Sequence, residues 1–163
     1  MDLIIKKTRE ITGEVLIPSS KSQSIRAIFL ALIADGKSIL KNILLSDDTL
    51  TAIRTCEAMG AKIYLLGNQL VIESKGLPLK PRDKIINTGN SGIATHFVIP
   101  LLGLRQDSEQ LILLDCDEQM KTRPIFNFLN SLKNFGLKIK HLNNSIHFPI
   151  CVSGTLIGGK WKC

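Results

Sequence analysis

The chain has 163 residues, 44% of them hydrophobic, and a formal net charge of +7. That length fits one domain, or part of a larger one, with enough apolar residues for a real core. The charge suits anionic partners, but one Trp, one Tyr and six Phe leave little for nucleic-acid bases to stack on, and the cations are spread out, so small anions are favoured over DNA or RNA.

Cys56, Cys116, Cys151 and Cys163 lie far apart with no Cys-x-x-Cys pair, and His96, His141 and His147 share no ligand spacing. Neither a zinc site nor a disulfide framework is indicated. The first seven residues lack the apolar core of a signal peptide. The longest uninterrupted apolar run, 27–34, is too short to span a bilayer. A reducing, cytoplasmic setting without a membrane partner is expected.

In chain order, the first distinctive stretch is Pro18-Ser19-Ser20-Lys21-Ser22-Gln23-Ser24-Ile25-Arg26, a hydroxyl-rich loop feeding an apolar helix over 25–34. Serines there can cap the free N–H groups of the first turn. Those N–H groups, with the positive end of the helix dipole, also suit an anion that Lys21 and Arg26 could close around. A plain capped helix with two solvated cations fits the same residues. A strand is expected over 38–44. Then Ser46-Asp47-Asp48-Thr49 opens an amphipathic helix with Leu50, Ile53, Cys56 and Met59 on one face, where Ser46 or Asp47 caps and the acids complement the dipole.

The pattern then repeats. Met59-Gly60-Ala61-Lys62-Ile63 recurs as Phe135-Gly136-Leu137-Lys138-Ile139, 76 positions later. Each glycine falls where a helix wants a C′ residue with positive φ. Each is followed by a strand, a turn (Gly67-Asn68, then Asn143-Asn144) and a second strand. Between the copies, Gly76-Leu77-Pro78-Leu79-Lys80-Pro81 reads as a linker.

The second copy opens on Gly89-Asn90-Ser91-Gly92 ahead of an apolar helix over 93–102. It lacks the lysine and spacing of a nucleotide P-loop. Its glycines would let backbone N–H groups approach a ligand, or simply make a tight turn. A strand over 111–114 follows, with a helix carrying Ile125, Phe128, Leu132 and Phe135 on one face. Pro124 suits the first position of that helix. Arg123 would then stand against the dipole, a misfit that a bound carboxylate or phosphate would relieve. Each copy therefore reads β-α-β-α-β-β, giving an α/β fold of repeated units. The two apolar helices are hydrophobic all round and should be buried between sheets.

Pro-Ser-Ser-Lys-Ser-x-Ser-x-Arg at 18–26, Ser-Asp-Asp-Thr at 46–49, Gly-Asn-Ser-Gly at 89–92 and Met-Lys-x-Arg-Pro-Ile at 120–125 occur in order. Together they resemble the amino-terminal portion of the 5-enolpyruvylshikimate-3-phosphate (EPSP) synthases, or 3-phosphoshikimate 1-carboxyvinyltransferases, over essentially the whole chain. The resemblance implies an enolpyruvyl transferase-like fold, with three such units per domain packed around buried helices. It implies transfer of the enolpyruvyl group of phosphoenolpyruvate to the 5-hydroxyl of shikimate 3-phosphate, in chorismate and aromatic amino-acid biosynthesis, with no metal or organic cofactor. By position, Lys21 would touch both substrates and polarise the reacting centre. Ser22 and Arg26 would hold shikimate 3-phosphate, and Asn90, the Gly92 backbone and Arg123 would hold phosphoenolpyruvate.

The same resemblance divides the chain into residues 1–17, a strand of the other domain; 18–76, the first unit; 77–83, the linker; 84–154, the second unit; and 155–163, the start of a connection to a third unit. Only half an active site is then expected, binding weakly and turning over little unless a complementing chain supplies the rest. A non-catalytic anion-binding remnant would carry the same motifs. The chain departs from the family at Ser19, where glycine is usual, at Ile93 for threonine and at His96 for arginine. Ile93 is expected to narrow the space beside Gly92 and weaken binding of glyphosate, the family's phosphonate inhibitor; Ile93→Thr is the check. The UDP-N-acetylglucosamine enolpyruvyl transferases fit less well. They pair the first lysine with asparagine, where Ser22 stands, and place a cysteine five residues before the arginine, where Glu118 stands and Cys116 is two residues too early.

Overall fold

The computed structural model describes residues 3–7, 9–142 and 147–158. Its first helix, α1 (Lys21–Ile33), starts where Ser20 accepts a hydrogen bond from the Gln23 N–H at 3.4 Å. It runs through Ala34 directly into β1 (Asp35–Lys41). That strand begins three residues earlier than the apolar pattern suggests, because Asp35 and Gly36 already pair with Lys75 and Ser74. It stops at Asn42, whose φ of 53° takes the backbone out of the strand.

Helix α2 (Asp47–Ala58) has Ser46 as its N-cap in a reciprocal capping box with Thr49. Its buried side is Thr49, Ala52, Thr55 and Cys56, while Leu50 is 41% exposed, so the apolar face is rotated from the expected one. The reason is that α2 packs against both α1 and α3 (Gly92–Leu102), and close approach to two helices favours small side chains over leucine.

At its end the helix closes in a Schellman arrangement. The Ala61 N–H reaches the Cys56 carbonyl and the Gly60 N–H reaches that of Glu57, both at 3.0 Å. Gly60 has φ +108°, and a Cβ there would strike the Lys80 carbonyl oxygen. Gly136, its counterpart, has φ +101° and would strike the Thr155 carbonyl.

Strands β2 (Lys62–Leu66) and β3 (Gln69–Lys75) form the expected hairpin, and β1 pairs with β3, giving an antiparallel sheet β1-β3-β2. The second sheet follows the same logic with one strand more. β4 (Ile85–Asn87) pairs in parallel with β5 (Ile112–Asp115), which pairs antiparallel with β7 (Ile150–Gly154), which pairs with β6 (Leu137–His141). The order β4-β5-β7-β6 thus contains β1-β3-β2 plus a leading strand. The expected turn at Asn143-Asn144 lies outside the described residues. In the first copy no described residue before α1 is in a strand, and Leu3, Ile4, Ile5, Ile11, Val15 and Leu16 are at least 80% exposed.

Helices α1 and α3 are not buried all round. Ile25, Ile28 and Leu32 of one, and Val98, Ile99 and Leu102 of the other, lie in a single core cluster spanning both copies. Their remaining faces line an apolar groove of about 420 Å³ with Phe29, Leu30, Phe97 and Leu101 along it. Two helices side by side cover each other and their sheets. The third direction around each is left open, which the sequence pattern alone does not reveal.

One element was not anticipated. A short helix α4 (Glu118–Lys121) precedes α5 (Phe126–Asn134). The Arg123 N–H bonds the Met120 carbonyl at 3.1 Å, closing the end of α4, and Pro124 falls two residues ahead of α5. Arg123 therefore does not open α5 or oppose its dipole. It follows the carboxyl end of α4, and the misfit expected at the start of α5 is absent.

Candidate functional site

The amino termini of α2 and α3, one from each copy, meet at one polar cavity, and α1 is tied to its rim by Lys21. Lys21 is the first residue of α1, Asp48 the second of α2, and Ser91 the N-cap of α3. The Lys21 ammonium lies 2.6 Å from the Asp48 Oδ2. Burial pushes the Asp48 carboxyl up, but hydrogen bonds from Lys21 and Ser91, with the charges of Lys21 and Arg123, outweigh it and hold its pKa below the usual value. A cavity of about 420 Å³ is lined by Asp47, Asp48 and Asp117, with Arg54, Asn90 and Ser91 among the others, so the cations Lys21 and Arg123 bear on it from beside it through Asp48.

The second loop is built to stay in place. Thr88 and Thr95 are fully buried, and the Thr95 hydroxyl lies 2.8 Å from the Thr88 Oγ1 and 2.9 Å from the Ser91 carbonyl. The Thr88 N–H bonds the Asp115 carbonyl, and the Asp117 N–H bonds that of Gly89, both at 3.0 Å. Loop 88–91 is thereby fixed to the end of β5. Ser91 accepts from the Ala94 N–H, while Gly92, the first helical residue, keeps an amide with no partner inside the helix. A Cβ on Gly92 would lie 2.8 Å from the Arg123 Nη1, so the guanidinium rests against the place where a side chain would be. Asn90 donates from Nδ2 to the Gln119 Oε1.

The first loop is tied differently. The Ser24 hydroxyl donates to the Ser20 carbonyl and accepts from the Leu44 N–H, both at 2.9 Å. Ser22 and Arg26 sit one turn apart on one face of α1, as i, i+4 neighbours do. Arg26 lines the apolar groove and not the polar cavity. Of the sequence-derived residues, Lys21 pairs with Asp48, Arg123 rests against Gly92 and adds its charge at Asp48, and Asn90 lines the cavity beside Ser91, while Arg26 lines the apolar groove and Ser22 shares its face of α1.

Asp48 is the functional candidate that the sequence pattern hid. An acid in the first turn of a helix has a sufficient local role, and Asp48 does complement the α2 dipole. The available signal was redundancy, since Ser46 already caps the helix and two acids follow it. Ile93 is half-buried against the core. The His96 Nδ1 donates to the Gly92 carbonyl at 2.7 Å, and its ring packs on Phe128 with centroids 4.7 Å apart. Among the described residues no three His, Cys, Asp or Glu side chains are grouped to hold a metal, and no helix is long and apolar enough to cross a membrane.

A family model for EPSP synthase (3-phosphoshikimate 1-carboxyvinyltransferase) matches residues 5–162. The chain belongs to the EPSP synthase family. It is 37% identical over 161 residues to the 3-phosphoshikimate 1-carboxyvinyltransferase of Acetivibrio thermocellus, covering 98% of this chain and 37% of that protein. It is 36% identical over 153 residues to the protein of the same name from Chlamydia trachomatis, covering 91% and 34%. The chain thus spans about a third of the length of the curated relatives it matches. Among solved structures, an EPSP synthase from Acinetobacter baumannii aligns with a TM-score of 0.80 at 23% identity, over 91% of this chain and 34% of that one. At that identity the likeness concerns the fold, and it supports the enolpyruvyl transferase-like architecture expected of repeated β-α-β-α-β-β units. Within this EPSP synthase-like fold, the cavity at the helix amino termini joins the two copies.

Proposed function

We propose that this chain contributes the anion-binding part of a 3-phosphoshikimate 1-carboxyvinyltransferase. The reaction joins the 5-hydroxyl oxygen of shikimate 3-phosphate to the enol carbon of phosphoenolpyruvate, breaks that carbon's bond to the phosphate oxygen, and releases phosphate and the hydroxyl proton. Both substrates are multiply charged anions, so the protein must offset their repulsion and hold them in register.

In this reading Lys21 faces both substrates and stabilises charge at the reacting centre. Ser22 and Arg26 hold shikimate 3-phosphate, with Arg26 turning from the groove toward it. Asn90, the Gly92 amide and Arg123 hold phosphoenolpyruvate at the amino end of α3, where free N–H groups and the helix dipole favour an anion. The units at 18–76 and 84–154, joined by 77–83, are the two halves of this site. The acids that manage the hydroxyl proton come from a complementing part of the enzyme. A cytoplasmic setting suits the free Cys56, Cys116 and Cys151.

The observation that carries the proposal is the Arg123 guanidinium against Gly92, with its charge acting on the carboxylate that Lys21 pairs with, which draws on both copies. Calorimetric titration with shikimate 3-phosphate and then phosphoenolpyruvate tests it, alongside Lys21→Ala. A charge-assisted hydrogen bond contributes about 1.5–3 kcal/mol, so the variant is expected to bind roughly tenfold to a hundredfold less tightly. No binding by a chain shown to be folded would favour an anion-binding remnant whose motifs are inherited but idle.

A further inference from the structure

We infer that Asp48 is an internal counter-anion, a specificity-determining residue that holds Lys21 until a ligand with enough charge and enough contacts takes the lysine over. The inference rests on the reading of Lys21, Gly92 and Arg123 as an anion site and adds to it the selectivity of that site.

The geometry is direct. Asp48 Oδ2 is 2.6 Å from the Lys21 Nζ, across 27 residues of chain. The same carboxylate faces Ser91, the N-cap of α3, and feels the charge of Arg123, which lies over Gly92. One acid from α2 thus bears on the lysine of the first loop, the cap of the second loop and the arginine after α4. Its side chain is only 26% exposed, so water screens these interactions less than at the open surface. The local role of Asp48 does not require any of this, since α2 has a full capping box without it.

The position has a chemical consequence. An incoming phosphate or carboxylate needs the cations that Asp48 already engages, and it is repelled by the carboxylate itself at short range. A small anion such as inorganic phosphate gains too few contacts to displace Asp48. A larger ligand, with a second anionic group and hydroxyls, gains enough elsewhere to do so. Asp48 therefore disfavours free phosphate, a product of the proposed reaction, relative to the two substrates.

The test is calorimetric titration of the full chain with inorganic phosphate, compared with Asp48→Asn, each first shown to be folded by circular dichroism. Asp48→Asn is expected to bind phosphate at least tenfold more tightly, and adding Lys21→Ala to it should remove that gain. Asp48→Glu, which keeps the charge, should bind phosphate less tightly than Asp48→Asn. Phosphate affinity in Asp48→Asn equal to or below that of the unsubstituted chain, including no binding by either, overturns the inference. If Asp48→Asn does not fold, carbon NMR of the unsubstituted chain decides. The Asp48 carboxyl and Lys21 ε-carbon signals should move together as phosphate is added, and a stationary Asp48 signal overturns the idea. Failure of the underlying reading looks different, because Lys21→Ala would then bind shikimate 3-phosphate as well as the unsubstituted chain does.

Discussion

The two copies of the repeat hold their anion loops in unlike ways. The loop before α3 hangs from a sheet: β4 leads into it, β5 ends beside it, and Thr88, Thr95 and Asp117 tie its backbone down. The loop before α1 follows no strand among the described residues, and its ties are the Ser20 and Ser24 hydroxyls and the Lys21–Asp48 pair. The other end of each apolar helix differs as well. α1 passes through Ala34 straight into β1, whereas nine residues separate α3 from β5, and Arg105 holds that stretch together from within. Arg105 is 4% exposed and donates to the carbonyls of Leu102, Ser108, Gln110 and Val152. The second copy is therefore a preformed cradle, while the first copy depends on a single charge contact with α2 to present its lysine.

The strongest way to break that contrast is Arg105→Ala. It strands several buried carbonyls at about 1–3 kcal/mol each, so a loss of about 3 kcal/mol or more is expected in a denaturant titration. Hydrogen exchange should rise first along β7, with β1–β3 less affected. Next in size is Gly92→Ala. The added Cβ would force the Arg123 guanidinium away, and as this is the free end of a flexible side chain, stability should change little. Losing one charge-assisted contact of about 1.5–3 kcal/mol should weaken phosphoenolpyruvate binding at least tenfold, and unchanged affinity by calorimetry would contradict the placement of Arg123.

Capping separates the copies on a smaller scale. Ser46→Ala removes half of a capping box and is expected to cost about 1 kcal/mol in thermal or chemical unfolding. Asp117, the N-cap of α4, makes no side-chain cap bond, so Asp117→Ala should stay within about 0.5 kcal/mol. A comparably small effect concerns Asp48. Its folded pKa is depressed, so the pair's contribution is present above the unfolded carboxylate value and lost as the pH falls through the folded one. Since the lysine is half exposed, the contribution should be under about 1 kcal/mol. The stability difference between the chain and Asp48→Asn should be flat near neutrality and change only in acid.

Much of the fold was legible because it is repeated. Residues 59–63 and 135–139 match in type, and both glycines do take positive φ at the C′ position. Elements whose ends are set by backbone chemistry close at hand were anticipated, among them the Ser46 cap and the β2–β3 hairpin, whereas α1 starts at Lys21, four residues before the expected 25, because Ser20 caps it. Those set by neighbours were not. The buried face of α2 turned to threonine and alanine because two helices press on it. α1 and α3 kept an open apolar side because a uniformly apolar helix does not say how many neighbours it has.

The candidate site divides along the same line. Lys21, Gly92 and Arg123 could be picked out as cations or a glycine beside expected helix starts, although the start expected after Arg123 lies further on, at Phe126, and Asn90 was named through the family resemblance alone. The sequence by itself thus determined the repeat, the Ser46 helix start and candidate residues able to hold an anion. Only the tertiary structure decided that Asp48 clasps Lys21, that Ser91 and the charge of Arg123 bear on that carboxylate, and that Arg123 ends one short helix instead of opening another. The influences on Asp48 come from residues 27 to 75 positions away. Electrostatic pairing at such separation depends on how the helices pack, which no local pattern encodes.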